Sequence, residues 1–427
     1  MIDRYKTEKI DRIFNEDHKY EKWLTVEKTV AEVQEGLGII PRGLSRRLAK
    51  VKVDPRRVNE IEKKTNHDVI AFLEAVREKA GRTGKWLHFG MTSYDLVDTA
   101  LSLMIREAGV VIDGEISVLL RTLKKIARRY RNTPQMGRTH GVFAQPITFG
   151  FKAASWYNEV ARARVRFRTA ASAAAYGKLS GAVGAYTILD PPIEKRVMKK
   201  LRLKPEPVAT QVIPRDRLAA LLSSLILYAC ALERIATEIR NLARSEIGEV
   251  TEPFGHDQKG SSAMPHKQNP VICERVCGLV KVLRGYMIPA FENINLWHER
   301  DISNSAAERI IIGDTFHLVH YITQKMIDVL VGIVVHPDRM LEHIKNSQGV
   351  YASQFLMNKL IERGMSRRDA YDIIQSLSFR AIREKRGLAG IAKSDPRIKK
   401  LLTAQEIELV FDLRWFLRNI RNAYKLL

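Results

Sequence analysis

Residues 251–270, TEPFGHDQKGSSAMPHKQNP, place two serine hydroxyls, two imidazoles, a lysine ammonium and an asparagine amide in one segment punctuated by Gly and Pro. Gly260, Ser261, Ser262, Pro265, His266, Lys267, Asn269 and Pro270 fall between two helical patterns, which makes the segment a loop able to move. Turn residues alone would make an ordinary connection. A plain linker, however, has no need of Met264-Pro265-His266-Lys267 and Asn269. The whole chain carries eleven histidines, whose imidazoles can transfer protons near neutral pH, although any one alone is more often a surface or core residue. Arg300 and Arg309, in WHERDISNSAAER (297–309), offer guanidinium forks that suit phosphate oxygens. Their plain alternative is a surface ion network with Glu299 and Glu308. Cys273 and Cys277 stand four apart on the helix after the loop and lack two further matched ligands. They are expected to be packing residues, and no metal site is implied.

Helices must position these groups. Trp23, Val26, Val30, Val33 and Leu37 recur at spacings of three and four, and Gly36, Gly38 and Pro41 end that face. Asp54-Pro55 supplies a capping side chain and a fixed φ for a second helix running through Val58, Ile61 and Val69. A Gly-, Thr- and Ser-rich loop at 81–95 follows. From about Ser93 to about Met340 several long helical patterns are broken at 131–141, 189–195 and 251–270, and strand-like alternation is scarce. Ser366 and Asp369 form a capping-box-like start to a helix reaching Gly387. The expected organisation is all-α. An N-terminal helical domain (1–92) precedes an elongated central bundle of long helices carrying the polar loop (93–340), and a C-terminal helical domain (341–427) follows.

Composition narrows the function classes. Of the 427 residues, 45% are hydrophobic, enough to bury a large core and to exclude a disordered chain. Three cysteines are too few for a disulfide framework, and the N-terminal MIDRYKTEKIDRIF is charged where a signal peptide would be apolar, so a cytoplasmic location is expected. The longest charge-free apolar run, Leu218 to Leu232, falls short of the roughly 20 residues of a membrane span. It reads as a buried helix, with no membrane role. The formal charge of +23 suggests attraction to polyanions. The basic stretches at 161–168 and 199–204 are scattered, though, and no nucleic-acid motif accompanies them. The expectation is a solvated basic surface whose field favours small anionic substrates, with no specific nucleic acid.

The loop from Gly260 to Pro270 resembles, without a gap, the signature G-S-S-x-M-P-x-K-x-N-P of the fumarase/aspartase superfamily. MIDRY, TNHDV (65–69) with MTSYDLVDTA (91–100), GRTHGVFAQPITFG (137–150) and WHERDISNSAAER resemble the purine-nucleotide lyases of that superfamily, in their order and at compatible spacing. The likeness runs from Met1 to about Gly390. Gln268, Phe143 and Gln145 stand where that family has Arg, His and Glu.

The resemblance implies β-elimination of fumarate from a succinylated purine nucleotide, giving AMP, and from the matching succinocarboxamide ribotide, giving AICAR, without metal or organic cofactor. Such a step needs a base for a weakly acidic C–H, an acid for the departing nitrogen and cations for the charge growing on a carboxylate. The resemblance assigns the base to Ser261, the acid to His140, its orientation to Glu274 and charge stabilisation to Lys267. It places the 5′-phosphate on Arg4, Tyr5, Arg300, Ser305 and Arg309. Thr92, Ser93, Thr139, Gln211, Lys267 and Asn269 would hold the succinyl carboxylates, and His67, Asp68 and His88 complete the substrate set. Because thirty helical residues separate successive loops by roughly 45 Å, one chain cannot close this site alone. The superfamily resemblance implies a homotetramer whose sites draw on three subunits. The alternatives are another superfamily member, such as a carboxymuconate cycloisomerase or argininosuccinate lyase, and a helical nucleic-acid-binding protein.

Overall fold

The computed structural model describes residues 1–427, the Leu426 side chain excepted. As the sequence implies, the fold is all-α. Its longest helices are Ser93–Arg129, Phe149–Ala173, Asp216–Leu242 and Ser303–Val331, with Val271–Gly285 opening directly after the polar loop. The described strands pair only two at a time, and the longest pair is the antiparallel hairpin Pro134–Thr139 with Val142–Thr148. That hairpin occupies part of the interruption expected at 131–141.

The chain divides into two compact units. One gathers 1–117, 162–233 and 276–325; the other gathers 118–161, 234–275 and 326–427. In the first, Tyr20, Trp23 and Phe72 pack ring against ring, with centroids 5.2–5.9 Å apart, inside a core that also takes Val58, Leu96 and Val197. In the second, Leu356, Ile374, Leu388 and Ile407 centre a core formed by the C-terminal helices. The Asp216–Leu242 helix is, by length and composition, apolar enough to cross a membrane. Yet Leu221, Leu225, Tyr228, Leu232 and Ile235 are all buried within the protein, as expected of a core helix.

Two helix boundaries differ from the expected ones. Asp54 does cap its helix, accepting the Arg56 N–H at 3.0 Å, but that helix stops at Thr65. Asn66 turns left-handed (φ 49°), a conformation that Asn tolerates better than most residues. His67 then caps a new helix, Asp68–Ala80, so Val69 belongs to it and not to the first. Likewise Ser366 caps Arg367–Glu384 as expected, but the left-handed Lys385 ends that helix before Gly387.

Candidate active site

His140 sits at the tip of the hairpin, in the second unit. Thr139 pairs with Val142, which leaves His140 (φ 54°) and Gly141 (φ 79°) as a two-residue turn with both residues at positive φ, the pattern of a type I′ turn. Thr139 and the imidazole of His140 are therefore exposed at the end of a rigid ribbon. Below the tip the register slips between Met136 and Arg138. Gly137 lies so close to the Gln145 carbonyl that a β-carbon there would come within 2.6 Å of it.

A buried carboxylate anchors this ribbon. Glu249 accepts hydrogen bonds from Gln135 Nε2 at 2.7 Å, Arg138 Nη2 at 2.7 Å and His343 Nδ1 at 2.5 Å, and its side chain is fully buried. Burial alone would raise its pKa, but the bonds from Arg138, His343 and Gln135 outweigh that cost and hold it below the usual carboxylate range. Phe143 lies beside this cluster, its ring 5.9 Å from that of His343 and 5.1 Å from the Arg138 guanidinium. Gln145 donates to Gln354 at 3.0 Å. The two hairpin departures from the family pattern therefore have packing partners of their own.

The signature loop is folded around its serine. Ser261 Oγ accepts the N–H groups of Ala263 (3.3 Å) and Met264 (3.1 Å), while Asn269 Nδ2 donates to the Gly260 carbonyl at 3.0 Å. Gly260 is required here, since a β-carbon would overlap the Lys267 carbonyl oxygen. Lys267 and Glu274 are exposed, with Glu274 on the first turn of the following helix. Glu252 caps that helix from upstream, accepting the N–H groups of Ile272 (3.1 Å) and Cys273 (2.6 Å). Cys273 and Cys277 are both buried on it, in keeping with packing residues.

The first unit holds the cations and the remaining polar groups. Arg300 stacks on the Tyr94 ring, with the guanidinium carbon 3.5 Å from the centroid, and donates to Gln211 Oε1 at 3.0 Å. Its Nη2 is buried and has no hydrogen-bond partner among the described residues. Beneath it, Asn304 bridges to Glu308 (3.2 Å), Glu308 to Arg215 (2.9 Å) and Arg215 to Asp98 (2.7 Å), all buried or nearly so. Burial, with the nearby Asp98 adding to it, pushes Glu308 above the usual carboxylate range against the pull of Arg215. Ser305 is buried and hydrogen-bonds the Tyr94 hydroxyl. Arg309 pairs with Asp68 at 2.8 Å, and the Tyr5 ring packs edge-on against Tyr321 beside an exposed Arg4. The network of Arg300 and Arg309 with Glu299 and Glu308 that the sequence left open does not form: Glu308 serves Arg215, and Arg309 serves Asp68.

His67 and His88 are both held in place. His67 Nδ1 accepts the Ile70 N–H at 3.4 Å, and His88 lies against Glu27. Thr92 N–H donates to Asp95 Oδ2 at 2.9 Å, and Ser93 opens the long helix. Asp95 in turn is ion-paired with Lys178, with both side chains fully buried. Glu27, Asp95, Lys178, Glu249 and Glu252 escape a reading of the sequence. Each is a charged residue on a helix face or in a polar stretch, and its type and spacing match those of solvated neighbours.

A family model described as lyase matches residues 5–285, and one described as adenylosuccinate lyase C-terminus matches 349–426. Adenylosuccinate lyase from Thermotoga maritima is 42% identical over 426 residues, covering 100% of this chain and 99% of its own; that from Aquifex aeolicus is 43% identical, covering 100% and 98%. The chain belongs to the adenylosuccinate lyase family. Membership extends the likeness through the last forty residues, beyond the point near Gly390 where the motifs end. Among solved structures, a fumarate lyase from Mesorhizobium sp. BNC1 matches with a TM-score of 0.91 at 25% identity, covering 100% of this chain and 99% of that one. A β-carboxy-cis,cis-muconate cycloisomerase from Acinetobacter calcoaceticus matches at 0.88 and 22%, covering 99% and 97%, a likeness of fold alone. The backbone is thus common to several reactions, and the sequence likeness separates this chain from the cycloisomerase.

Proposed function

We propose that this chain breaks the C–N bond of adenylosuccinate, releasing fumarate and AMP, and does the same to the succinocarboxamide ribotide that yields AICAR. The observation that carries this reading is full-length identity above 40% to adenylosuccinate lyases, joined to a buried Arg300 Nη2 that has no hydrogen-bond partner among the described residues and is suited to an anion. His140 delivers a proton to the departing nitrogen, helped by Glu274. Ser261 removes the proton from carbon. Two N–H groups already aimed at Ser261 Oγ are what its alkoxide needs, and Lys267 adds a positive charge. Arg4, Tyr5, Arg300, Ser305 and Arg309 take the phosphate, and Thr92, Ser93, Thr139, Gln211 and Asn269 take the succinyl carboxylates. His67, Asp68 and His88 complete the binding set. No metal or organic cofactor enters the step.

The site is assembled in a cytoplasmic homotetramer, with the regions of His67, His140 and Ser261 contributed by three subunits. Exposed apolar side chains on the long helices, among them Val110, Val165, Leu227 and Ile310, support such an assembly. The three-domain division at 92/93 and 340/341 belongs to the same reading, and the second family match begins close to the latter boundary. The test is direct: purified protein incubated with adenylosuccinate yields AMP and fumarate in equal amounts. Conversion of a carboxymuconate or of argininosuccinate, with none of adenylosuccinate, would overturn it.

A further inference from the structure

His88 stands in a left-handed backbone conformation (φ 62°), uncommon for any residue with a β-carbon. One side chain accounts for it. Glu27, on the helix Glu16–Gly36 and 1% exposed, places Oε1 2.5 Å from His88 Nδ1 while its Oε2 accepts the His88 backbone N–H at 3.1 Å. A single carboxylate thus grips both the ring and the backbone of the same residue. Burying a carboxylate is costly unless its oxygens are bonded and its charge is met. Both oxygens of Glu27 are bonded to His88.

An ionised carboxylate only accepts, so Nδ1 carries the hydrogen and Nε2 is the ring nitrogen left to act. We infer that Glu27 is the positioning residue for His88, fixing the Nδ1–H tautomer so that Nε2 faces a carboxylate of the substrate. Three charged groups bear on the ring: Glu27 from its helix, Asp95 from the first turn of Ser93–Arg129, and Arg77 from Asp68–Ala80. Burial favours the neutral imidazole, but Glu27 outweighs it, Asp95 adds to Glu27 and Arg77 opposes both. The pKa consequently lies above the ordinary histidine value. A protonated ring presents Nε2–H as a charged donor, the form that binds a carboxylate best. Thr92 and Ser93, four and five residues further on, belong to the same proposed carboxylate set. The inference rests on the proposed substrate reading for that carboxylate, but not for the Glu27–His88 dyad itself.

The experiment compares the wild type with Glu27→Gln and Glu27→Asp from about pH 6 to about pH 9, recording KM and kcat for adenylosuccinate and the thermal midpoint. Glu27→Gln should raise KM about tenfold, change kcat less, and move the alkaline limb of 1/KM to lower pH; Glu27→Asp should restore part of both. A role in packing alone would lower the thermal midpoint and leave the limb where it was, which overturns the inference. The second readout needs neither activity nor a variant. Ring 15N shifts of His88 in the wild type should show Nδ1 protonated at high pH and Nε2 titrating, and the opposite tautomer overturns the inference. If the tautomer is as expected but KM does not respond to either variant, the dyad stands and the substrate assignment of His88 falls.

Discussion

Arg309 and Asp68, 241 positions apart in sequence, meet in a 2.8 Å ion pair on the first unit. Arg309 is mostly exposed and already has this anionic partner, whereas Arg300 is stacked on Tyr94 and keeps a buried Nη2 without one. A phosphate gains more from the second arrangement. Arg300→Ala should therefore raise KM for adenylosuccinate by more than tenfold, on the order of 2 kcal/mol for a lost charge-assisted pair. Arg309→Ala should raise KM less, and kcat should fall less than KM rises in both. Steady-state kinetics on the two variants decide it. Unchanged kinetics in both would return these arginines to a structural role and revive a substrate without phosphate.

Ser261→Ala should remove nearly all turnover while leaving nucleotide affinity close to that of the wild type. The two N–H groups on Oγ then have nothing to stabilise, so the loss falls on kcat. Single-turnover rates with equilibrium binding of AMP separate the two quantities. The outcome against this assignment is an active Ser261→Ala beside an inactive Ser262→Ala.

Glu249 sets the hairpin of His140 and should set its acid stability as well. Its carboxyl is lowered in the folded state, so the stability it contributes is present above the ordinary carboxylate range and is lost as pH falls through the folded value. Glu249→Gln should flatten the acid limb of thermal stability measured from about pH 3 to about pH 7. Glu249→Ala leaves Arg138 and His343 facing an empty position and should cost about 3–5 kcal/mol. Equal acid sensitivity in wild type and Glu249→Gln would remove this carboxylate as the cause.

Subunit sharing predicts complementation. His140→Ala and Ser261→Ala, each inactive, should regain activity when unfolded together and reassembled. Random assortment of equal amounts leaves roughly a quarter of sites with both native residues. If both residues came from one chain, every site would carry one of the mutations. A mixture confirmed to contain both chains per oligomer, yet as dead as either parent, refutes the shared site.

Features that depend on near neighbours in the chain are legible without the fold. The helical period around Trp23, the Asp54 and Ser366 caps and the largely buried helix at 218–232 all follow from local spacing and are found in the structure. Superfamily membership follows likewise, because the Gly260–Pro270 string is contiguous and carries its own turn chemistry, while MIDRY, GRTHG and WHERD point to the purine-nucleotide lyases within it. The remaining features depend on partners far away in the chain. The hairpin of His140 is not legible in the sequence because its strands are short, bulged and interrupted by Gly137, while its anchor, Glu249, comes from 111 positions beyond Arg138. The split at His67 turned on one left-handed residue, Asn66, which periodicity does not register. Glu27 and His88 are 61 positions apart, and Asp95 and Lys178 are 83. In sequence Glu27, Asp95 and Lys178 are ordinary charged residues. Folding removes them from water, and burial is what turns a charge into a positioning device: a carboxylate without solvent must spend its oxygens on the few donors the fold brings to it.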